Sequence, residues 1–235
     1  MTQLLRPSVR LKPTSDATKL VQLFETFEKY HFINNVVCER VGNEVEKLYA
    51  DACLWYSETS NFIKTTDELI SELKSKLAKE DEFVANFKQL SYSADQVPLI
   101  CYIFDRINNY GLEPGQCIPL YFPDPKLLRR NHNIEHFMAQ NPDSKLKKSD
   151  VEWVDNIGNL LIVYFKDNSS LGNANPTEKM KRLKGDLSQK VQHLSHVIDF
   201  IAKYGSDAGS WGSEKIQKRA NDMAIEGYRK VWKIV

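Results

Sequence analysis

The chain has 235 residues, 42% of them hydrophobic and 27% charged, with a formal net charge of +1. That length can bury a sizeable core, as one large domain or two modest ones, and the near-neutral total gives no whole-chain nucleic-acid signature. No apolar run is long enough to cross a membrane and the N-terminus lacks a secretory leader's apolar core, so the expected setting is soluble and cytoplasmic.

In chain order, residues 1–15 hold two prolines and no periodicity and read as a leading arm. From Asp16 the pattern is helical. Leu20, Leu23, Phe24 and Phe27 form one stripe, and Val41, Val45, Leu48, Ala52 and Trp55 form another. A third segment opens at Thr66-Asp67 and carries Ile70, Leu73 and Leu77; a fourth runs from about Asp81 to Leu90. A fifth starts at Ser93-Ala94-Asp95, with Ile100, Ile103 and Ile107 on one side and Gly111 past its end. The prolines at 114, 119, 123 and 125 then exclude a helix. They set the expected boundary between a helical scaffold over 1–120 and a second domain over 121–235.

Two short strands are expected next, His132 to Phe137 and Leu160 to Phe165, separated by a polar loop and a helical turn near Trp153. An Asn/Ser/Gly-rich stretch from Asp167 to Pro176 leads into a helix from Thr177, whose first turn Pro176 and Glu178 suit. Helices over Leu187 to Tyr204 and about Ser213 to Trp232 close the chain, split by the Gly205 to Gly212 loop. The fold class is therefore mainly α with a small β-hairpin. From Lys126 to Lys190, 12 Lys and Arg stand against 8 Asp and Glu, a net +4 that suits a phosphate-bearing substrate. The four cysteines (Cys38, Cys53, Cys101, Cys117) have no zinc-ligand spacing, and three sit in apolar contexts that read as buried free thiols of a reducing compartment.

The chemistry concentrates in Ile134-Glu135-His136-Phe137-Met138-Ala139-Gln140, followed by Gly158-Asn159-Leu160 and Asn168. Phosphodiester hydrolysis needs water deprotonated near neutral pH, which an imidazole of pKa roughly 6.5 does well. It also needs charge neutralised on the phosphate and the leaving oxygen, which Mg2+ supplies with few protein oxygens because it keeps several waters. Glu135 and His136 are neighbours, so on a strand their side chains leave opposite faces, and sharing a site needs the strand to bend or end there. Gln140-Asn141-Pro142 offers that break.

At these residues the sequence resembles the C-terminal nuclease domain of GmrSD-type restriction enzymes and of related SspE-type phage-defence nucleases. The likeness lies in "NIEHFMAQN", "NIGNLLIVYFKDN" and "NPTEKMKRL", with a late pattern of Trp211, Ile216, Arg219 and Trp232. It departs at Ala139, where the family usually has proline. The resemblance implies a ββα-metal (HNH, His-Me finger) core with C-terminal helices, and a Mg2+-dependent (or Mn2+-dependent) DNA endonuclease. It implies His136 as general base and Glu135 and Asn168 as metal ligands. Asn159 would hold the loop and orient His136, and Lys179 would contact a phosphate. Its biology would be restriction of phage or modified DNA. The partner would be an NTP-hydrolysing, modification-sensing domain or subunit, so the chain reads as a separate nuclease subunit or the C-terminal part of a larger protein.

Around that centre, Lys181, Arg182 and Lys184 are candidates for the DNA groove, and Lys145, Lys147 and Lys148 read as a solvated loop that could touch the backbone. His132 reads equally as a phosphate or metal contact and as a strand histidine. His193 and His196 read as an ordinary helix face, and His31 as core or interface. The alternative function is a nuclease-fold DNA-binding module that no longer cuts, or a helical interaction protein in which the motif is chance.

Overall fold

A computed structural model describes residues 15–121, 131–142 and 147–235. The expectations at residues 1–14, Pro123, Pro125 and Lys145 lie outside them. The chain is mostly helical with one two-stranded antiparallel sheet, as expected. Its contacts divide it into two compact units, Met1–Asn86 with Trp232–Val235, and Phe87–Val231. The fifth helix packs on the second strand and lies in the second unit.

In the first unit, helices α1 (Ser15–His31), α2 (Asn43–Glu58) and α3 (Phe62–Ser75) pack through most of the stripes read from the sequence, with Phe24 and Val41 left exposed. Leu23, Phe27, Val45, Leu48, Ala52, Leu69 and Leu73 form the core. Helix α3 starts earlier than Thr66 because the Asn61 side chain accepts from the Lys64 amide and caps it. Thr66 is instead buried inside that helix, where its hydroxyl donates to the Phe62 carbonyl. The fourth helix, α4 (Glu80–Phe87), carries Phe83, which lies against Trp232, itself stacked on Phe32 at 4.3 Å. His31 is held by Asn35 and Tyr49 at 2.7 and 2.8 Å. All four cysteines are free, but only Cys101 is fully buried; Cys38 and Cys53 are half-buried and Cys117 is exposed.

The second unit opens with α5 (Val97–Asn109), preceded by a turn at Ser93–Gln96 rather than starting there. Strand β1 (His132–His136) pairs antiparallel with β2 (Leu160–Tyr164), with Ile134 opposite Ile162 and His136 opposite Leu160. Between them lie α6 (Lys148–Val151) and a 3-10 turn, Ile157–Asn159. After β2, α7 (Phe165–Leu171) follows at once, ending at Gly172 with φ +53. Asn175 then caps α8 (Pro176–Lys184) by accepting from the Glu178 amide. The expected helix over 187–204 is broken into α9 (Ser188–Val191) and α10 (Ser195–Tyr204). Finally α11 (Ser213–Glu226) runs into a π-helical turn, Gly227–Val231. Among the described residues no helix is long and apolar enough to cross a membrane.

Two contacts fix the sheet in this unit. A pair of strands leaves the outer edge of β2 unpaired, and His196 closes it: Nε2 lies 3.2 Å from the Ile162 amide and 3.0 Å from its carbonyl. Asn108 Oδ1 sits 2.9 Å from Nδ1, so that nitrogen donates and Nε2 accepts from Ile162. His196 is thus a core residue, not a helix-face one. Its neighbour in sequence pattern, His193, is exposed. The second contact is α11 against the Ile157–Asn159 turn. A Cβ on Gly158 would lie 2.1 Å from the Ile216 carbonyl oxygen, so only glycine allows this approach. Arg219, fully buried, donates Nη1 to the Gly158 and Leu160 carbonyls at 2.8 Å each and stacks its guanidinium on Phe200 at 4.5 Å.

Gly158→Ala should therefore lower stability by about 1–3 kcal/mol through overpacking; an unchanged melting temperature would refute the close approach. His196 gives a pH dependence. Burial drives its pKa down to about 3 from 6.5, so the unfolded chain takes up a proton that the folded chain refuses. The stabilisation is complete above pH 6.5 and is lost as pH falls toward 3. Denaturation between pH 7.5 and 4.5 should show wild type losing stability more steeply than His196→Gln, by up to about 1.4 kcal/mol per pH unit. Parallel slopes would exclude His196 as the source.

Candidate active site

The site grows from the end of β1. Glu135 and His136 leave opposite faces of the strand, as the alternation requires, and each finds its own partner. On one face the Glu135 carboxylate is buried and receives the Lys179 ammonium of α8 at Oε1. Lys179 also donates to the main-chain carbonyl of His136 at 2.7 Å. Burial pushes the Glu135 carboxyl up to about 7 and the Lys179 ammonium down, and the contact between the two opposes both shifts. On the other face His136 Nε2 lies 3.0 Å from Asp155 Oδ1, and Gln140 Nε2 donates to the same oxygen at 2.7 Å. The Tyr92 ring meets the imidazole edge-on at 4.9 Å. Burial lowers the His136 pKa, with Asp155 acting in the opposite direction, which favours a neutral ring at physiological pH.

Asn159 is the brace. Its side chain is fully buried and every hydrogen-bonding capacity is used. Oδ1 accepts from the Met138 amide at 2.8 Å and from Trp211 Nε1 at 3.1 Å; Nδ2 donates to the Met138 and Val154 carbonyls at 2.9 and 2.6 Å. Its own carbonyl takes the Phe137 amide at 2.9 Å. The chain just beyond His136 is thereby tied to the turn that starts β2. Phe137, Phe200 and Trp211 pack edge to face behind it, with centroids 4.8–5.3 Å apart.

The remaining expected residues separate. Asn168 lies on α7, not at the end of a strand, and α7 packs on both strands. Its Oδ1 is buried without a hydrogen-bond partner. Lys179, expected at a phosphate, is instead only 1% exposed, its ammonium on Glu135 and His136. Arg182 is half-occupied: it donates to the Ser170 carbonyl at 2.6 Å and lies 3.3 Å from Glu178. Lys181 is exposed and lines a groove with Lys184, Thr177 and Gly209. His132 is buried against Tyr164 at 4.9 Å, with both ring nitrogens unpartnered, and burial lowers its pKa. Lys147 and Lys148 are exposed. Among the described residues no three His, Cys, Asp or Glu side chains gather as a metal cluster. Asp155 and Tyr92 were not found from the sequence, since no spacing rule links positions 92, 136 and 155; the aspartate preceding the turn's capping Asn156 was the available signal.

The family described as the C-terminal domain of GmrSD restriction endonucleases matches residues 77–225, well over half of the chain. No curated protein and no solved structure matches. The chain belongs to this family, and membership carries a restriction-endonuclease-related nuclease role with DNA as substrate.

A buried ion pair of this kind makes a sharp prediction. Lys179→Met leaves the Glu135 carboxylate without its partner and should cost about 3–5 kcal/mol. Adding Glu135→Gln should recover part of that loss. Additive effects in urea denaturation would count against the pair.

Proposed function

We propose that this family member is a Mg2+-dependent DNA endonuclease of the ββα-metal (HNH, His-Me finger) kind, with His136 as the general base that activates water. The carrying observation is the His136 imidazole: braced at the end of β1, largely desolvated, lowered in pKa, and next in sequence to a buried carboxylate. A neutral imidazole can take a proton from water near pH 7. Asn159 acts through main-chain bonds to Met138, so its role is to hold the base's strand end and not to touch substrate.

The donor set fits a hard cation. Mg2+ prefers oxygen ligands and needs few from the protein. Asn168 Oδ1 is a buried carbonyl oxygen with no hydrogen-bond partner, as a ligand oxygen would be before loading. Glu135 offers a carboxylate whose Oε1 takes Lys179 and whose Oε2 has no hydrogen bond among the described residues. Glu135 and Asn168 would hold the ion, and Mn2+ would serve in its place. Bound there, it would neutralise charge on the scissile phosphate and the leaving oxygen. Lys179 keeps the Glu135 charge compensated and anchors the His136 carbonyl. Exposed Lys181 and Lys184 on α8 would meet the DNA backbone. In cells the activity would restrict phage or modified foreign DNA, alongside an NTP-hydrolysing, modification-sensing domain or subunit.

Plasmid incubated with Mg2+ or Mn2+ should be nicked or cut by wild type, with His136→Ala at least about a hundredfold slower. Mn2+ uptake by calorimetry should vanish in an Asn168→Ala, Glu135→Ala double variant. Equal cleavage by wild type and His136→Ala sinks the assignment of the base, and Mn2+ uptake that survives the double variant sinks the ligand set.

A further inference from the structure

We infer that Asp155 is the positioning residue of His136: it fixes the imidazole as the Nε2–H tautomer and so makes Nδ1 the atom that takes the proton. The inference rests on the proposed role of His136 as base. A carboxylate oxygen only accepts, so at 3.0 Å from Nε2 it requires that nitrogen to carry the hydrogen. Nδ1 is left with the lone pair, and among the described residues it has no hydrogen-bond partner. When Nδ1 takes the proton from water, the ring becomes an imidazolium whose Nε2–H still points at the Asp155 carboxylate.

An exposed ion pair is usually worth little, and the Asp155 side chain is 47% exposed. Three features set this one apart. Two donors converge on one oxygen, His136 Nε2 and Gln140 Nε2, the latter at 2.7 Å. The main chain carrying Asp155 is held on both sides. Its carbonyl accepts from the Tyr92 amide at 2.7 Å and the Ile157 amide donates to the Leu90 carbonyl at 2.9 Å, the two bonds that bridge Ser91 to Asn156. Asn156 Nδ2 donates to the Lys88 carbonyl at 2.8 Å and adds a third tie. The same segment places the Tyr92 ring edge-on against the imidazole, with centroids 4.9 Å apart. The carboxylate therefore sits on a fixed backbone, and the ring it meets is packed on its other side.

The test uses the full chain and two readouts. Long-range 1H–15N correlation spectra of His136 should give a pyrrole-type Nε2 and a pyridine-type Nδ1 in wild type. Asp155→Ala should mix the tautomers and lower kcat at least about tenfold while leaving KM within twofold, with an unchanged circular dichroism spectrum. A wild-type ring protonated at Nδ1, or an Asp155→Ala variant with wild-type kcat, overturns the inference. If wild type fails to cut DNA, the proposed function falls, and the tautomer spectra still decide whether Asp155 sets the ring.

Discussion

A single carboxamide carries the geometry of the second unit. Asn159 sits where the chain enters β2, and its side chain joins three otherwise separate pieces: Met138 beyond β1, Val154 before the turn, and Trp211 before α11. Every donor and acceptor of that amide is used inside a water-free environment, where hydrogen bonds are strong and a missing one is costly. The consequence reaches the chemistry directly. His136 lies two residues from Met138, so its Cα is located by bonds that Asn159 makes, before any partner of the ring is counted. Gly158 and Arg219 complete the arrangement from behind. The first lets α11 approach to backbone contact, and the second saturates the turn's carbonyls with a buried guanidinium.

Charge is then distributed around this frame in an uneven way. A small sheet with two strands offers two faces at its end. One holds a buried carboxylate with a buried ammonium, the other a histidine with a half-exposed carboxylate. Burying Glu135 and Lys179 costs desolvation that their attraction only partly returns, so stability alone is a weak reason for the pair. Desolvated, strongly perturbed groups of this kind cluster at functional sites. Lys179 contributes a second benefit by binding the His136 carbonyl, which ties the charged face to the backbone of the histidine.

Much of this was legible in the chain. The two strands fall within one residue of their expected ends because their apolar runs are short and bounded, and the expected Pro176 and Glu178 do sit in the first turn of α8. Most of the stripes of α1 to α3 line the core of the first unit, but Phe24 and Val41 are exposed. What was not legible depends on tertiary contact. The stretch after β2 is rich in Asn and Ser, which are weak helix formers, yet α7 forms there against the sheet. That α5 would pack against β2 could not be read from its stripe. His196 gave no sign in sequence that it would serve a strand edge. Asp155 looked like any loop aspartate.

The contrast between two asparagines is the most informative comparison in the site. Asn159 and Asn168 carry the same side chain, and the resemblance implies a brace for the first and a metal ligand for the second. Their environments differ in the same sense. Asn159 is saturated by four protein hydrogen bonds and has nothing left to offer a ligand. Asn168 has a carbonyl oxygen withdrawn from water and given no donor. Such an oxygen carries an uncompensated desolvation cost unless something positive completes it. A brace that lost one bond would weaken the fold, whereas an oxygen that gains a cation relieves a cost already present. The same accounting assigns His132 no role, since two unpartnered nitrogens beside an aromatic ring do not say whether a donor, an acceptor or an ion would complete them.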